Sequence, residues 1–287
     1  MHYVGKFLDS GLAANPTYAQ HSLGYTEAPL VDHKSGSVHT GLSIAELAAG
    51  GTLAPHVHAY EEGFYILSGE VRASINDQTY RLGPGDYGCI KVGTPHAWRN
   101  AGTSPVRWLQ HAAPQPKPRG MERDTFFPKN GRPPDDGAPL DPAEPGGNLL
   151  GHFDVSQIPS GDEGRNVAAG LTGVFLKWLI DEKFGAVHHR LLFIEYLPGV
   201  GIAPHDHTYE EAYFILSGEV EAVMDGKRYL ATAGDVLWTG TGCVHAFKNI
   251  SSEPVRWLET FSPQPPKENV FRFMAEWEQK AKELEGD

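Results

Sequence analysis

Apolar and polar positions alternate through two stretches of this chain, and the stretches match each other. Val38-His39-Thr40-Gly41-Leu42-Ser43-Ile44-Ala45-Glu46-Leu47 and Val187-His188-His189-Arg190-Leu191-Leu192-Phe193-Ile194-Glu195-Tyr196 both read as strands. Tyr60-Glu61-Glu62-Gly63-Phe64-Tyr65-Ile66-Leu67 and Tyr209-Glu210-Glu211-Ala212-Tyr213-Phe214-Ile215-Leu216 read as strands that stop at Ser68-Gly69 and Ser217-Gly218. Further strands are predicted over Pro95–Asn100 and Val244–Asn249 and around Trp108 and Trp257. Asn76-Asp77-Gln78 and Asp225-Gly226-Lys227 supply hairpin turns. Residues 1 to about 35 show little periodicity and read as an irregular arm with a short strand or two, able to pack on the other half or on a second subunit. From 151 to 182 the pattern resumes through Phe153, Val155, Phe175, Leu176, Trp178, Leu179 and Ile180. From 268 to 285, Phe271, Met274 and Trp277 at three-residue spacing predict a helix with one apolar, core-packing stripe.

The match is an internal duplication. His205 follows His56 by 205 − 56 = 149 residues, and the same difference relates His207 to His58, Glu211 to Glu62 and His245 to His96. It also relates Gly218 to Gly69, Asp235 to Asp86, Asn249 to Asn100 and Val255-Arg256-Trp257-Leu258 to Val106-Arg107-Trp108-Leu109. The chain divides into 1–119, a first barrel with its leading arm; 120–149, a Pro/Gly/Asp-rich linker or surface wrap; and 150–287, a second barrel with a terminal helix. At 287 residues, each half is long enough for its own core, and 33 Gly and 22 Pro suit many short strands and turns.

The repeated polar residues carry the chemistry. Alternate residues of a strand share a face, so His56 with His58, and His205 with His207, point the same way. Glu62 and His96, or Glu211 and His245, return to them from other strands. Three imidazoles and a carboxylate suit Fe(II) or Mn(II), and also Ni(II) or Zn(II), over Ca(II) or Mg(II). Parity turns Glu61 and Glu210 outward and brings Phe64 and Trp98, Tyr213 and Phe247 alongside the ions, with Trp257 nearby. It also places Cys243 on the face of His245. His39 and His188 fall outside the clusters and read as structural.

The net charge of −12 offers no field for nucleic acid or an anionic membrane. No apolar run reaches membrane-span length. Two cysteines, Cys89 and Cys243, need form no disulfide framework, and the opening residues lack a signal-peptide apolar core, so the cytoplasm is the expected location.

Gly-x(4)-His-x-His-x(3)-Glu-x(6)-Gly, here Gly51 to Gly69, resembles the first motif of the cupin superfamily, and Gly85, Gly93, His96 and Asn100 resemble the second. Lys91 stands where that motif has proline. The second copy has Val200 opposite Gly51, while Gly234, Gly242, His245 and Asn249 keep the spacing and Gly240 takes the proline's place. The resemblance covers about 80 residues of each half. It implies an all-β fold of two tandem jelly-roll barrels with a short C-terminal helix, up to two divalent transition metals per chain, a small-molecule substrate and a homo-oligomer, commonly a dimer.

Aromatic residues around an open redox metal suggest an oxidoreductase, a dioxygenase cleaving a small aromatic or enolic substrate with O₂, as in the similar quercetin dioxygenases. Glu211 and Glu62 would accept the substrate proton, with Tyr213, Phe247, Cys243, Trp257, Phe64 and Trp98 lining the pockets. Tyr213 and Cys243 make the second barrel the expected seat of catalysis. A manganese decarboxylase like the oxalate decarboxylases, or another cupin lyase, hydrolase or isomerase, is the alternative, although Thr52-Leu53-Ala54-Pro55 and Gly201-Ile202-Ala203-Pro204 lack the arginine that would clamp a carboxylate. A non-enzymatic metal-bound binding module is a third reading. Elemental analysis of fully loaded protein is expected to approach two metals per chain; a reproducible ceiling of one would contradict two equivalent sites.

Overall fold

The computed structural model describes residues 1–118, 120–139, 149–159, 172–264 and 272–285. It is built almost wholly of β-strands, in two jelly-roll barrels. In the first, Gly41–His58 is one long strand that serves both walls. Its first part pairs with Val106–Ala113 and its last part with His96–Arg99. In the second, the same run is broken into Arg190–Tyr196 and His205–Asp206, which belong to separate sheets of six and five strands. Pro198 stands opposite Ala49 and has no N–H for a ladder, which accounts for the break. Gly69 and Gly218 close equivalent turns with φ of 80° and 79°. A Cβ there would lie 2.7 Å from the Pro105 carbonyl and 2.6 Å from that of Pro254, so both features call for glycine.

The sheets cross the division at 119 and 150. His2–Lys6 pairs with Asp235–Thr239 of the second half, and Leu150–His152 pairs with Asp86–Ile90 of the first. The exchange is symmetric in detail. Phe7 N–H donates to the Gly234 carbonyl at 2.8 Å and Phe153 N–H to that of Gly85 at 2.9 Å. Lys6 meets Asp235 at 2.9 Å and His152 meets Asp86 at 2.7 Å. The arm expected to be irregular also contains a ten-residue strand, Ser22–Val31, on the edge of Gly41–His58. Register shifts between Leu23 and Tyr25 and between Pro29 and Val31 break its alternation, which hid it.

The linker, where described, wraps the first barrel. Thr125–Phe126 pairs with the end of Gly41–His58, and Ala138–Pro139 runs parallel to Gln78–Leu82. Residues 140–148 lie outside the described residues. The C-terminal helix spans Met274–Glu285, preceded by a short strand, Arg272–Phe273. The expected stripe falls partly outside the described residues, at Phe271. No helix among the described residues is long and apolar enough to cross a membrane.

Each barrel has its own core, around Trp98 and Trp108 in the first and Phe247 and Trp257 in the second. A third core lies between the halves, where Leu42, Ile44, Tyr65 and Leu109 meet Leu191, Phe193, Phe214 and Leu258. These are the alternate residues of strands whose other faces line the barrels, so the strands are buried on both sides. Glu61 and Glu210 face out of their own barrels, as parity predicts, yet both are buried because they enter the opposite half. Glu210 accepts hydrogen bonds from the Ser37 hydroxyl and the N–H groups of Val38, His39 and Thr40 at 2.6 to 3.1 Å. Glu61 accepts from the N–H groups of Val187 and His188 and lies 2.7 Å from His189 Nδ1. His39 and His188 thus belong to the loops that join the halves.

Removing the Glu210 carboxylate strands several buried donors at once. Glu210→Ala is expected to cost roughly 3 kcal/mol or more in denaturant unfolding; a loss under about 1 kcal/mol would show that the loop is held by apolar packing instead.

Candidate metal centres

The strand order assembles each tetrad. His56 lies directly opposite His96 in the ladder, and His205 opposite His245. Glu62 and Glu211 are the second residues of strands Glu61–Ser68 and Glu210–Ser217 on the facing wall. His56 and His96 ring centres are 4.0 Å apart, and those of His205 and His245 4.3 Å. Glu62 Oε2 lies 3.1 Å from His58 Nε2 and 3.8 Å from His96 Nε2. Glu211 reaches His207 Nε2 at 3.2 Å with one oxygen and His245 Nε2 at 3.1 Å with the other. All eight residues are buried.

Second partners orient the rings. His56 Nδ1 faces the Ala54 carbonyl at 2.7 Å, His96 Nδ1 that of Thr94 at 3.0 Å, and His58 Nδ1 the Thr125 hydroxyl at 3.0 Å. In the second barrel, His205 Nδ1 faces the Ala203 carbonyl at 2.7 Å and His245 Nδ1 that of Cys243 at 2.9 Å. With Nδ1 carrying the proton, each Nε2 lone pair points inward, the tautomer a metal requires. His58 Nε2 and His96 Nε2 are buried with no hydrogen-bond partner. Burial holds the first three imidazoles neutral: it pulls His58 to about 3 and His96 to about 4, and, with His96 and His58 adding to it, His56 well below its usual value. Burial likewise pulls His205 to about 3. In Glu211 burial opposes ionisation, but His207 and His245 outweigh it and hold the carboxyl low. In His245 burial lowers the imidazole, but the hydrogen bond and charge of Glu211 outweigh it and raise it. Three inward-facing imidazole nitrogens beside a carboxylate fit a divalent transition metal.

The comparisons with known proteins agree with this geometry. The cupin domain family matches residues 43–111 and again 192–261. The chain carries two cupin domains. A salicylate 1,2-dioxygenase from Pseudoaminobacter salicylatoxidans, solved with gentisate, superposes with a TM-score of 0.61 at 16% identity over 83% of this chain and 73% of its own. An oxalate decarboxylase from Bacillus subtilis gives 0.64 at 16% identity over 98% and 82%. One from Lactobacillus farciminis, in a formate complex, gives 0.62 at 16% over 96% and 89%. Both kinds of neighbour are bicupins. A polyketide synthase CurC from Streptomyces cyaneus is 30% identical over 74 residues, 25% of this chain, and the match spans about half the length of that relative, 48%.

The bicupin's two centres differ in their surroundings. A cavity of about 380 Å³ is lined by Tyr18, Tyr60, Gln110, Ala112 and Thr125 among others; none of the four residues of the first tetrad lines it, and the link to them runs through the lining side chains. Tyr60 stacks on His58 with centres 4.3 Å apart, Tyr18 meets His56 edge-on, and Gln110 Nε2 donates to Glu62 Oε2 at 3.1 Å. Gly41, Ser43 and Ala112 line it with small side chains, Gly41 packed closely against Pro116. At the 149-residue offset stand Arg190, Leu192 and Phe261, in the same ladder register. There the Phe261 ring lies 4.9 Å from Tyr209, the residue equivalent to Tyr60, and 6.0 Å from Trp178, over which Arg190 is placed. Among the described residues, larger side chains thus stand in the second barrel at the positions of Gly41, Ser43 and Ala112. Catalysis was expected in the second barrel; this cavity belongs to the first.

The predicted pocket residues fall into three groups. Phe64, Trp98, Phe247 and Trp257 are beside the tetrads but inside the packed barrel cores, with Phe64 and Trp98 edge-to-face at 5.1 Å. Tyr213 donates to Glu211 Oε2 at 2.5 Å and lies 3.1 Å from His245 Nε2, closing the second centre. The Cys243 thiol lies with His2 and Asp225, apart from the tetrad group. It sits in the turn before His245, where strand parity does not apply. Gln110 and Glu259 escaped the sequence reading, although each lies two residues past a repeated tryptophan, on its face. Glu259 accepts from Trp257 Nε1 at 2.8 Å, and burial, reinforced by Glu211, raises its carboxyl well above the usual range.

The neutral imidazoles have a consequence for stability. In the unfolded chain they bind protons near pH 6.5, whereas His58 and His96 in the folded barrel resist protonation down to about 3 and 4. The unfolded state thus holds more protons below about pH 6.5, and the metal-free bicupin should lose stability as pH falls, by up to roughly 1.4 kcal/mol per pH unit for each imidazole. Denaturant titrations at about pH 7, 6 and 5 measure this net of His245 and Glu259, whose raised values act in the opposite direction; a stability that rises toward about pH 5 would mean that those two groups, and not the neutral imidazoles, set the trend.

Proposed function

We propose that the bicupin is a metal-dependent oxidoreductase that turns over a small aromatic or enolic substrate with O₂, and that the first barrel is the seat of turnover. The observation that carries this reading is the aromatic-walled cavity whose lining residues Tyr18, Tyr60, Thr125 and Gln110 contact His56, His58 and Glu62, whereas among the described residues Phe261 stands in the second barrel at the position of Ala112. The hydroxylated ring bound by one structural neighbour and the name of the curated relative, a polyketide synthase, support the same substrate class. The absence of an arginine just before either histidine pair speaks against a dicarboxylate substrate.

Iron(II) or manganese(II) would be held by His56, His58, Glu62 and His96 and would supply Lewis-acid and redox chemistry there. The chain's own residues do the rest. Glu62 accepts the proton of the substrate hydroxyl on a carboxylate oxygen. Burial raises its carboxyl above the usual range, with His96 and His189 partly offsetting this, which makes it a better acceptor. Gln110 holds that carboxylate in place through its amide N–H. Tyr18 and Tyr60 offer ring faces and edges to a flat substrate and exclude water. The second tetrad, closed by Tyr213 and Phe261, binds its metal as a structural centre.

Oxygen uptake by metal-loaded protein with a panel of phenols and enols tests the reaction. Ala112→Phe copies Phe261 into the cavity and is expected to lower kcat/KM by about a hundredfold or more with metal content unchanged. Glu62→Gln is expected to lose a similar factor, the scale of a positioned proton acceptor, and Glu211→Gln much less. Full turnover in Ala112→Phe, or a larger loss from Glu211→Gln at full occupancy, would overturn the assignment to the first barrel.

A further inference from the structure

The interface between the halves holds a cluster of side chains that neither tetrad uses. Gly63 lies opposite Cys89 in one ladder and opposite His111 in the other, so the three share a sheet face. It is the face of Glu61, two residues earlier, which points out of the first barrel toward the second half. The glycine leaves a gap between the cysteine and the histidine. His189 of the second half fills it, since a Cβ at Gly63 would collide with His189 Nε2. The Cys89 thiol, a Glu61 carboxylate oxygen and a His189 ring nitrogen all lie within 4.8 Å of one another, and all three residues are buried. The His111 ring meets His189 edge-on with centres 4.7 Å apart.

The rest of the fold leaves these donors unused. Among the described residues, neither ring nitrogen of His189 has a hydrogen-bond partner, and nor has Nδ1 of His111. Glu61 Oε1 is 2.7 Å from His189 Nδ1 but off the line of a ring N–H, so the two atoms are close without being hydrogen-bonded. Two ligands that share one ion stand in that relation. Burial pushes the Cys89 thiol up and, with His189 adding to it, holds His111 well below its usual value. Burial opposes ionisation of Glu61, but His189 and the N–H groups of Val187 and His188 outweigh it and keep the carboxyl low. A divalent cation would displace the thiol proton and balance both the thiolate and the carboxylate, leaving no net charge in the buried interface.

The duplication supplies a control. At the equivalent place on the second barrel, Ala212 stands between Trp238 and Thr260, and Thr40 takes the position of His189. Glu210 there accepts from the Ser37 hydroxyl and three backbone N–H groups, and the Thr40 and Ser262 hydroxyls share a hydrogen bond at 2.7 Å. One interface position is thus closed by ordinary hydrogen bonds. The other has a cysteine and two histidines where the first has a tryptophan and two threonines, the residue types that zinc takes together with a carboxylate. We infer that Cys89, His189 and Glu61 ligate a structural zinc ion that pins the two halves together, with the spare nitrogen of His111 offered to its fourth position. The ion is additional to those of the two tetrads, and the site does not depend on the reaction in either barrel.

Cobalt(II) in place of zinc tests the site, because a thiolate bound to cobalt gives a charge-transfer band in the near ultraviolet and neither tetrad contains sulfur. Cys89 and Cys243 are the only cysteines of the chain, so Cys243→Ser leaves Cys89 as the one thiol. Folded Cys243→Ser protein prepared in cobalt-supplemented medium is expected to show the band and to carry about one cobalt ion per chain beyond those of the tetrads. Adding His189→Thr, which copies Thr40, is expected to remove the band and about one ion per chain, with Cys89 still present and the tetrad ions retained. Absence of the band in Cys243→Ser with both tetrads loaded would overturn the inference without any further variant. A band that survives His189→Thr at full strength would overturn it too. Cys89→Ser, close in size to the native residue, gives a second measure: zinc-loaded wild type is expected to exceed it by about one ion per chain, and equal zinc content in the two folded proteins would contradict the site.

Discussion

Two glutamates side by side on a strand cannot point the same way, and the molecule is organised around that constraint. In each half the second glutamate enters its own barrel and completes the histidine cluster, while the first leaves the barrel and holds a loop of the other half. The loops so held, around Thr40 and His189, lead directly into the strands Gly41–His58 and Arg190–Tyr196. The site and the interface are therefore built from consecutive residues on the same strands. The exchanged strands His2–Lys6 and Leu150–His152 tie the halves together further, since each barrel borrows an edge from the other half. Neither half has all its strand partners within its own repeat.

Duplication preserved the ligands and let the lining diverge. The four candidate metal ligands of each half are kept in register, as are Thr94 and Cys243, Ala54 and Ala203, whose carbonyls face the rings. Around them, Gly41, Ser43, Ala112 and Glu27 line a cavity, and at the equivalent positions of the second half stand Arg190, Leu192, Phe261 and Leu176. Replacing Gln110 by Glu259 changes the partner of the metal-facing carboxylate from an amide donor to a second acid. The two centres hold the same kind of ligand set and differ in what can approach it.

The convergence of each tetrad was legible because a two-residue period leaves no ambiguity about which of two neighbours faces inward, and because a second copy checks the first. The same parity correctly turned Glu61 out of its barrel but said nothing of what lay there; the loop at His189 is remote in sequence. The exchanged arms were visible only as Val4-Gly5-Lys6-Phe7 against Leu150-Gly151-His152-Phe153, a match displaced by three residues from the main offset. Bulges at Tyr25 and Val31 concealed the strand that carries Glu27. Cys243 was misplaced because a turn residue was given a strand's alternation. The contrast between cavity and plug was written in side-chain size at the offset, yet it acquires meaning only once the ladder shows Gly41 facing Ala112 and Arg190 facing Phe261.

The central claim is that one of two similar metal centres is open to a ligand. Anaerobic titration of protein carrying two metals per chain, with a tight-binding phenol and calorimetric readout, counts the open centres directly. One ligand per chain is the predicted stoichiometry, with spectroscopic change confined to one metal. Two ligands per chain, perturbing both metals alike, would contradict the account.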